Sequence, residues 1–153
     1  SLGYMPCDTE TITFPAEKDY PDMMLAVEEA VKRGFNDVVV YGALGGRLDH
    51  TIGNLQLIAY FSQRKISVRL LDDSIVIACV TDSRLDLGNK KEGLVSVFAF
   101  GSTAYGVNIK GLKYTLTDAT LDATVPLGVS NEFIGENAYV SVEKGNLVVV
   151  WQR

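Results

Sequence analysis

Asp37-Val38-Val39-Val40-Tyr41-Gly42-Ala43-Leu44-Gly45-Gly46-Arg47-Leu48-Asp49-His50 reads as a strand, a glycine turn and the opening of a helix. The apolar run Val38–Tyr41 predicts a buried strand of a parallel sheet covered on both faces. Three glycines let the backbone turn sharply and approach a ligand closely. The helix runs from Asp49 to about Gln63, with Ile52, Leu55, Ile58 and Ala59 toward the core. Upstream, Met23–Gly34 reads as another helix. Pro21 suits its first turn, Asp22 its positive end, Lys32 and Arg33 its negative end, and Gly34 its left-handed cap. Met23, Val27, Ala30 and Val31 share one face at helical spacing. Thr11–Pro15 is a short extended piece. Alternating strands and helices indicate an α/β layer.

From Ser67 onward the pattern changes. Short apolar runs at Val68–Leu71, Ser74–Val80, Leu94–Phe100, Gly106–Ile109, Ala138–Val142 and Leu147–Trp151 are separated by turn residues. Such spacing predicts an antiparallel β-sandwich or barrel. Lys144-Gly145-Asn146 between two runs reads as a hairpin turn. The expected organisation is α/β plus all-β: a partial parallel α/β layer over residues 1–66, then a C-terminal antiparallel β-sandwich over 67–153. Two strands are few for a sheet. The first half therefore reads as the C-terminal part of a longer α/β domain, and the chain as a piece of a longer protein.

The 153 residues are 47% hydrophobic and 22% charged, which excludes global disorder. No apolar run approaches the ~18 residues of a membrane span, and no signal peptide opens the chain. A net charge of −5 leaves no global basic surface for nucleic acid. Phosphates can still bind locally at a glycine turn, a helix N-terminus or a metal ion. Cys7 and Cys79 are too few for a disulfide framework, and cytoplasm is the expected compartment.

Three constellations could carry chemistry. Lys18, Asp19 and Asp22 lie where the chain enters the first helix. Carboxylates there can hold Mg²⁺ together with phosphate oxygens and water, and a lysine can pair with phosphate. The same residues also serve as plain capping groups on a solvated face. Gly45, Gly46, Arg47, Asp49 and His50 run from strand to helix, at the strand end where open α/β sheets bind ligands. Arg47 can fork onto a phosphate, while Asp49 and His50 can hydrogen-bond a nucleotide or a metal-bound water. A tight turn with an Asp cap is the alternative. Neither a Walker A loop nor a dinucleotide fingerprint is present. Gly128-Val129-Ser130-Asn131-Glu132-Phe133 offers a hydroxyl, an amide and a carboxylate to a small ligand, or is a turn bonding its own backbone. Trp151 reads as core or interface packing.

In this order, Lys18-Asp19-Tyr20-Pro21-Asp22, Gly42–His50 and Gly128–Phe133 resemble the bacterial-type thiamine pyrophosphokinases (thiamine diphosphokinases), and Gly111-Leu112-Lys113-Tyr114 resembles a further family stretch. The resemblance runs from about Lys18 to the C-terminus. It implies an α/β domain followed by a β-sandwich, assembled as a homodimer. It implies transfer of pyrophosphate from ATP to thiamine, giving thiamine diphosphate and AMP, with Mg²⁺. By that resemblance Asp22 is a Mg²⁺ ligand and Asp19 supports the same catalytic site. Lys18, Gly45, Gly46, Arg47, Asp49 and His50 belong to the nucleotide site. Ser130, Asn131 and Glu132 lie near the thiamine, whose site is close to the subunit interface.

Two departures stand out. Pro21 occupies a position where the family commonly has threonine. Nothing in Ser1–Lys18 matches the family's Gly-Asp-Phe-Asp-Ser-like motif, whose aspartates help hold Mg²⁺. The expectation is an enzymatic parent and a weakly active or inactive chain. A non-catalytic thiamine-binding or dimerisation module derived from that enzyme is the alternative, and a kinase for another heteroaromatic alcohol is a third reading.

Overall fold

The computed structural model describes residues 10–15, 17 and 19–153. Helix α1 spans Asp22–Lys32, and its end is set by the sequence. Gly34 takes φ +91°, its N–H donates to Val31 O, and Phe35 N–H donates to Ala30 O. That is a Schellman cap satisfying two orphan carbonyls. Strand β1 (Asp37–Tyr41) follows, then helix α2 (Leu48–Ser62) and strand β2 (Ser67–Leu71), which pairs parallel with β1. Helix α2 also ends in a Schellman pattern, with Lys65 N–H to Ser62 O and Ile66 N–H to Phe61 O. Here a lysine rather than a glycine occupies the left-handed position, at φ +61°. Its ammonium donates to Thr81 O at 3.0 Å.

Eight further strands complete two sheets: β3 (Ile75–Thr81), β4 (Arg84–Asn89), β5 (Leu94–Ala99), β6 (Ala104–Lys110), β7 (Leu116–Leu121), β8 (Gly128–Glu132), β9 (Asn137–Ser141) and β10 (Asn146–Gln152). The larger sheet has the order β1-β2-β3-β10-β5-β8, and the smaller β4-β9-β6-β7. Apart from β1–β2, every pairing is antiparallel. This is an α/β layer joined to a β-sandwich, and the large sheet runs unbroken through both.

Strand β10 explains the join. It pairs with β3 on one side and β5 on the other. Its residues alternate between two cores, as strand geometry requires. Leu147 and Val149 belong to the core between the sheets, with Val97, Val107, Val140 and Phe133. Val148 belongs to the core beneath the helices, with Val27, Ile58, Phe61 and Leu70. Leu147, Val148 and Val149 are all at most 2% exposed. Each such side chain contributes about 1.5–3 kcal/mol by leaving water. Trp151 is half-buried against the inter-sheet core.

Four sequence expectations are corrected. β1 is not covered on both faces. Val38 and Val40 pack under the helices, whereas Val39 and Tyr41 on the opposite face are 39% and 68% exposed. Ile52 is 50% exposed, because α2 turns its core stripe toward Leu57, Ile58 and Phe61 instead. Gly128–Glu132 is an edge strand rather than a turn. Lys144-Gly145-Asn146 is not a hairpin, because β9 and β10 lie in different sheets. That turn crosses between the sheets beside the β3–β4 crossing. Gly145 N–H donates to Asp82 Oδ1 at 2.8 Å, and Asp82 N–H donates to Gly145 O. The Thr11–Pro15 piece enters no strand, and Cys7 lies outside the described residues. Cys79 is partly buried, and burial pushes its thiol up to about 11.

Two outcomes follow for stability. A Cβ on Gly128 would sit 2.2 Å from the Val97 carbonyl oxygen, where β8 meets β5. Gly128→Ala should therefore cost about 1–3 kcal/mol, lowering Tm by roughly 2–4 °C per kcal/mol in a thermal melt. In the β2–β3 turn, Asp72 Oδ1 accepts from the Ser74 and Ile75 N–H groups at 2.9 Å, which hold its carboxyl below the ordinary 3.8. A depressed folded pKa means stabilisation that is present above the unfolded value and lost as pH falls through the folded one. Asp72→Ala should be less stable than the parent at neutral pH, with the gap closing below pH 3.8 in urea titrations across that range.

Candidate active site

The turn between β1 and α2 takes its shape from its glycines. Gly42, Gly45 and Gly46 have φ of +71°, +83° and +69°, and an added Cβ at any of them meets nothing within 4 Å. Glycine is needed there for backbone conformation, not for space. Ala43 between them is 5% exposed and anchored in the core beneath the helices. Asn54, in the second turn of α2, donates from Nδ2 to the Ala43 carbonyl at 2.8 Å. Arg47 occupies the N-cap of α2 and supplies no side-chain cap. Its guanidinium instead grips Asp49, with Nε to Oδ1 at 3.1 Å and NH2 to Oδ2. That hydrogen bonding holds the Asp49 carboxyl below its usual range. Both side chains are well exposed, at 72% and 61%, so the pair is open to exchange with an incoming anion.

Facing this turn is the segment that enters α1. Together they bound a cleft of about 1070 Å³. Asp19, Asp22, Gly45, Arg47, Asp49 and His50 all line it. The two halves of the sequence motif thus share one opening, with Asp19 and Asp22 from the segment entering α1 and the Arg47–Asp49 pair from the turn before α2. Gly46 belongs to the turn but not to the lining, and Lys18 lies outside the described residues. Pro21 sits at the N-cap of α1 with φ −58°. Its missing N–H is a group that no helix bond would use.

Sequence reasoning missed Tyr20, Gly53, Asn54, Gln56, Leu57 and Tyr60, which also line the cleft. Helical spacing could have found most of them. From His50, positions three and four along lead to Gly53 and Asn54, then Leu57, then Tyr60. The Tyr60 ring carries the Arg64 guanidinium 3.4 Å from its centroid.

The Ser130-Asn131-Glu132 segment lies elsewhere. The row Tyr41, Leu71, Val76, Trp151, Val95, Asn131 crosses the large sheet by successive pairing. Asn131 therefore lies at the same sheet end as the glycine turn, but five strands away, or roughly 24 Å at ~4.8 Å per strand. The Asn131 amide is already engaged. Its Oδ1 accepts from the Tyr114 and Glu132 N–H groups, and its Nδ2 donates to Tyr114 O at 2.6 Å. It clamps the Gly111–Tyr114 loop onto β8. Glu132 pairs with Lys113 at 2.7 Å. Ser130 is exposed, with φ +60°, an unusual conformation for a residue carrying a Cβ.

Among the described residues, no group of three or more His, Cys, Asp or Glu side chains gathers to hold a metal ion. No helix there is long and apolar enough to cross a membrane.

Residues 3–70 match the family description "Thiamin pyrophosphokinase, catalytic domain", and residues 82–147 match "Thiamin pyrophosphokinase, vitamin B1 binding domain". A thiamine pyrophosphokinase of Bacillus subtilis is 28% identical over 138 residues, which cover 90% of this chain and 64% of that protein. A crystal structure of the Bacillus subtilis enzyme superposes with a TM-score of 0.82 at 28% identity, covering 90% of this chain and 64% of the other. One from Geobacillus thermodenitrificans gives 0.80 at 28% identity, covering 92% and 65%. The chain spans just under two thirds of the length of these relatives. Two matching domain descriptions in the order of the two halves, with the shared fold, make the chain a member of the thiamine pyrophosphokinase family.

Proposed function

We propose that these residues belong to a thiamine diphosphokinase that moves the pyrophosphoryl group of ATP to the thiamine hydroxyl, releasing AMP. The observation that carries this reading is the shared cleft of Asp22 and Arg47. In such a reaction the hydroxyl oxygen bonds to the β-phosphorus, the bridge to the α-phosphate breaks, and the hydroxyl proton is lost. Charge neutralisation and alignment supply most of the catalysis. Arg47 suits the first task, and it can leave Asp49 for a phosphate that offers a fork-like pair of oxygens. The turn's N–H groups and the start of α2 favour the same anion. Lys18, Gly45, Gly46 and His50 are assigned to the same nucleotide site.

Asp19 and Asp22 are two carboxylates on one wall, the number that suits Mg²⁺ shared with phosphate oxygens rather than a closed protein cage. When bound, the ion would neutralise phosphate charge there. The whole chain carries no further Asp-rich motif of the family type. The 153 residues alone are therefore expected to bind nucleotide and turn over poorly.

Ser130, with Asn131 and Glu132 shaping its strand, is assigned to the thiamine. A small substrate cannot touch two groups some 24 Å apart. That separation supports a homodimer in which one copy's β8 stands beside the other copy's cleft. The non-catalytic module remains the rival reading, favoured by the lack of any match to the family's Gly-Asp-Phe-Asp-Ser-like motif in these 153 residues.

Calorimetry separates the two. Mg-ATP should bind the parent chain, and Arg47→Ala should weaken binding about tenfold to a hundredfold, the worth of one charge-assisted contact. Asp22→Asn should abolish the Mg²⁺ dependence of that binding. Thiamine binding without any nucleotide binding would instead favour the module.

A further inference from the structure

Nothing in the glycine turn's own sequence explains how it keeps one shape. Glycine is the most conformationally permissive residue, and three of them in five positions invite many backbone states. Packing does not restrain these glycines, because an added Cβ at Gly42, Gly45 or Gly46 meets no atom within 4 Å. Among the described residues, no backbone–backbone hydrogen bond outside the strand and helix holds residues 42–46. The helix that follows begins without a side-chain cap. Three restraints are left. The Ala43 methyl group is buried, the Leu44 side chain packs partly buried against the same core, and the Ala43 carbonyl accepts from Asn54 Nδ2 at 2.8 Å. The first two fix points on the chain. The third fixes the orientation of the Ala43–Leu44 peptide, and with it the direction in which the chain leaves toward Gly45.

We infer that Asn54 is the positioning residue of this site, locking the Ala43 carbonyl so that the turn and Arg47 stay arranged for a polyphosphate. The inference rests on the nucleotide reading of the cleft. Asn54 lies part-buried on rigid helix and lines that same cleft. A side chain on a regular helix holds a turn more reproducibly than the turn holds itself. An amide is required because it donates without bringing charge. A carboxylate in this place would repel both the Ala43 carbonyl and the phosphates.

The test uses three variants of the full chain. Asn54→Ala removes the donor, Asn54→Leu replaces it with an uncharged side chain of similar size, and Asn54→Gln keeps the donor on a longer arm. Trp151 fluorescence and thermal melts report folding. Two quantities are read: Mg-ATP affinity by calorimetry, and the backbone amide NMR signals of Gly42, Gly45 and Gly46 in the ligand-free protein. The expected result is about tenfold weaker Mg-ATP binding for Ala and Leu, the worth of one hydrogen bond and the order it imposes. Their glycine signals should broaden or multiply, and Gln should recover part of both effects. Ala or Leu variants that bind within twofold of the parent with unchanged glycine signals would overturn the inference. So would a Gln variant as impaired as Leu, since the donor would then be irrelevant. If the parent itself binds no Mg-ATP, the nucleotide reading falls, and the glycine signals still decide whether Asn54 orders the turn.

Discussion

One strand with two opposite obligations holds the molecule together. β10 must be apolar on both faces, since Leu147 and Val149 fill the inter-sheet core while Val148 fills the core under the helices. It must also carry a neighbour on each edge. The two cores are therefore two sides of one sheet, not two independent units. A segment of about 66 residues would be marginal on its own. Here α2 packs on β2, β3 and β10 together, so the sandwich supplies the platform on which the glycine turn is displayed.

A second join reinforces the first. Thr81 Oγ1 lies 2.8 Å from both Ser62 Oγ and Asn146 Oδ1, and Asn146 Nδ2 reaches Phe100 O. The threonine hydroxyl has a single hydrogen. It donates to the Asn146 oxygen, which has none to give, and receives the Ser62 hydrogen. The chain of bonds thus runs from helix to β3 to β10 to the end of β5. Thr81, Ser62 and Asn146 are all at most 9% exposed, and satisfied polar groups at that depth favour one arrangement of helix on sheet.

Much of this was legible in the residues. The α1 stop at Gly34, the strand–turn–helix passage from Asp37, and the change of pattern after Ser67 all rest on local chemistry, and local chemistry decided them. What escaped is long-range. β4, β7 and β8 carry Asp, Thr, Asn and Gly, and their pairing is interrupted at Asp86/Gly88, around Val107 and at Val95/Val97, so period-two alternation is blurred. The Lys144–Asn146 turn has hairpin composition, yet Asp82 draws it across the sandwich. The cleft itself was readable as two motifs, because each motif is contiguous. Asn54 and Tyr60 were readable only by stepping three and four residues on from His50, since apolarity alone misjudges which side of α2 faces the turn, as exposed Ile52 shows.

The place of β10 in the chain also governs the order of events at the ribosome. Thr81 emerges and then waits for Asn146, which follows 65 residues later. At roughly 5–20 residues per second, that is a delay of several seconds. Throughout it, Ile75-Val76-Ile77-Ala78-Cys79-Val80, a β-prone run without charge, has no partner on its β10 side. During synthesis this stretch is open to mispairing with neighbouring nascent chains, and the hazard ends only when the bridging strand arrives.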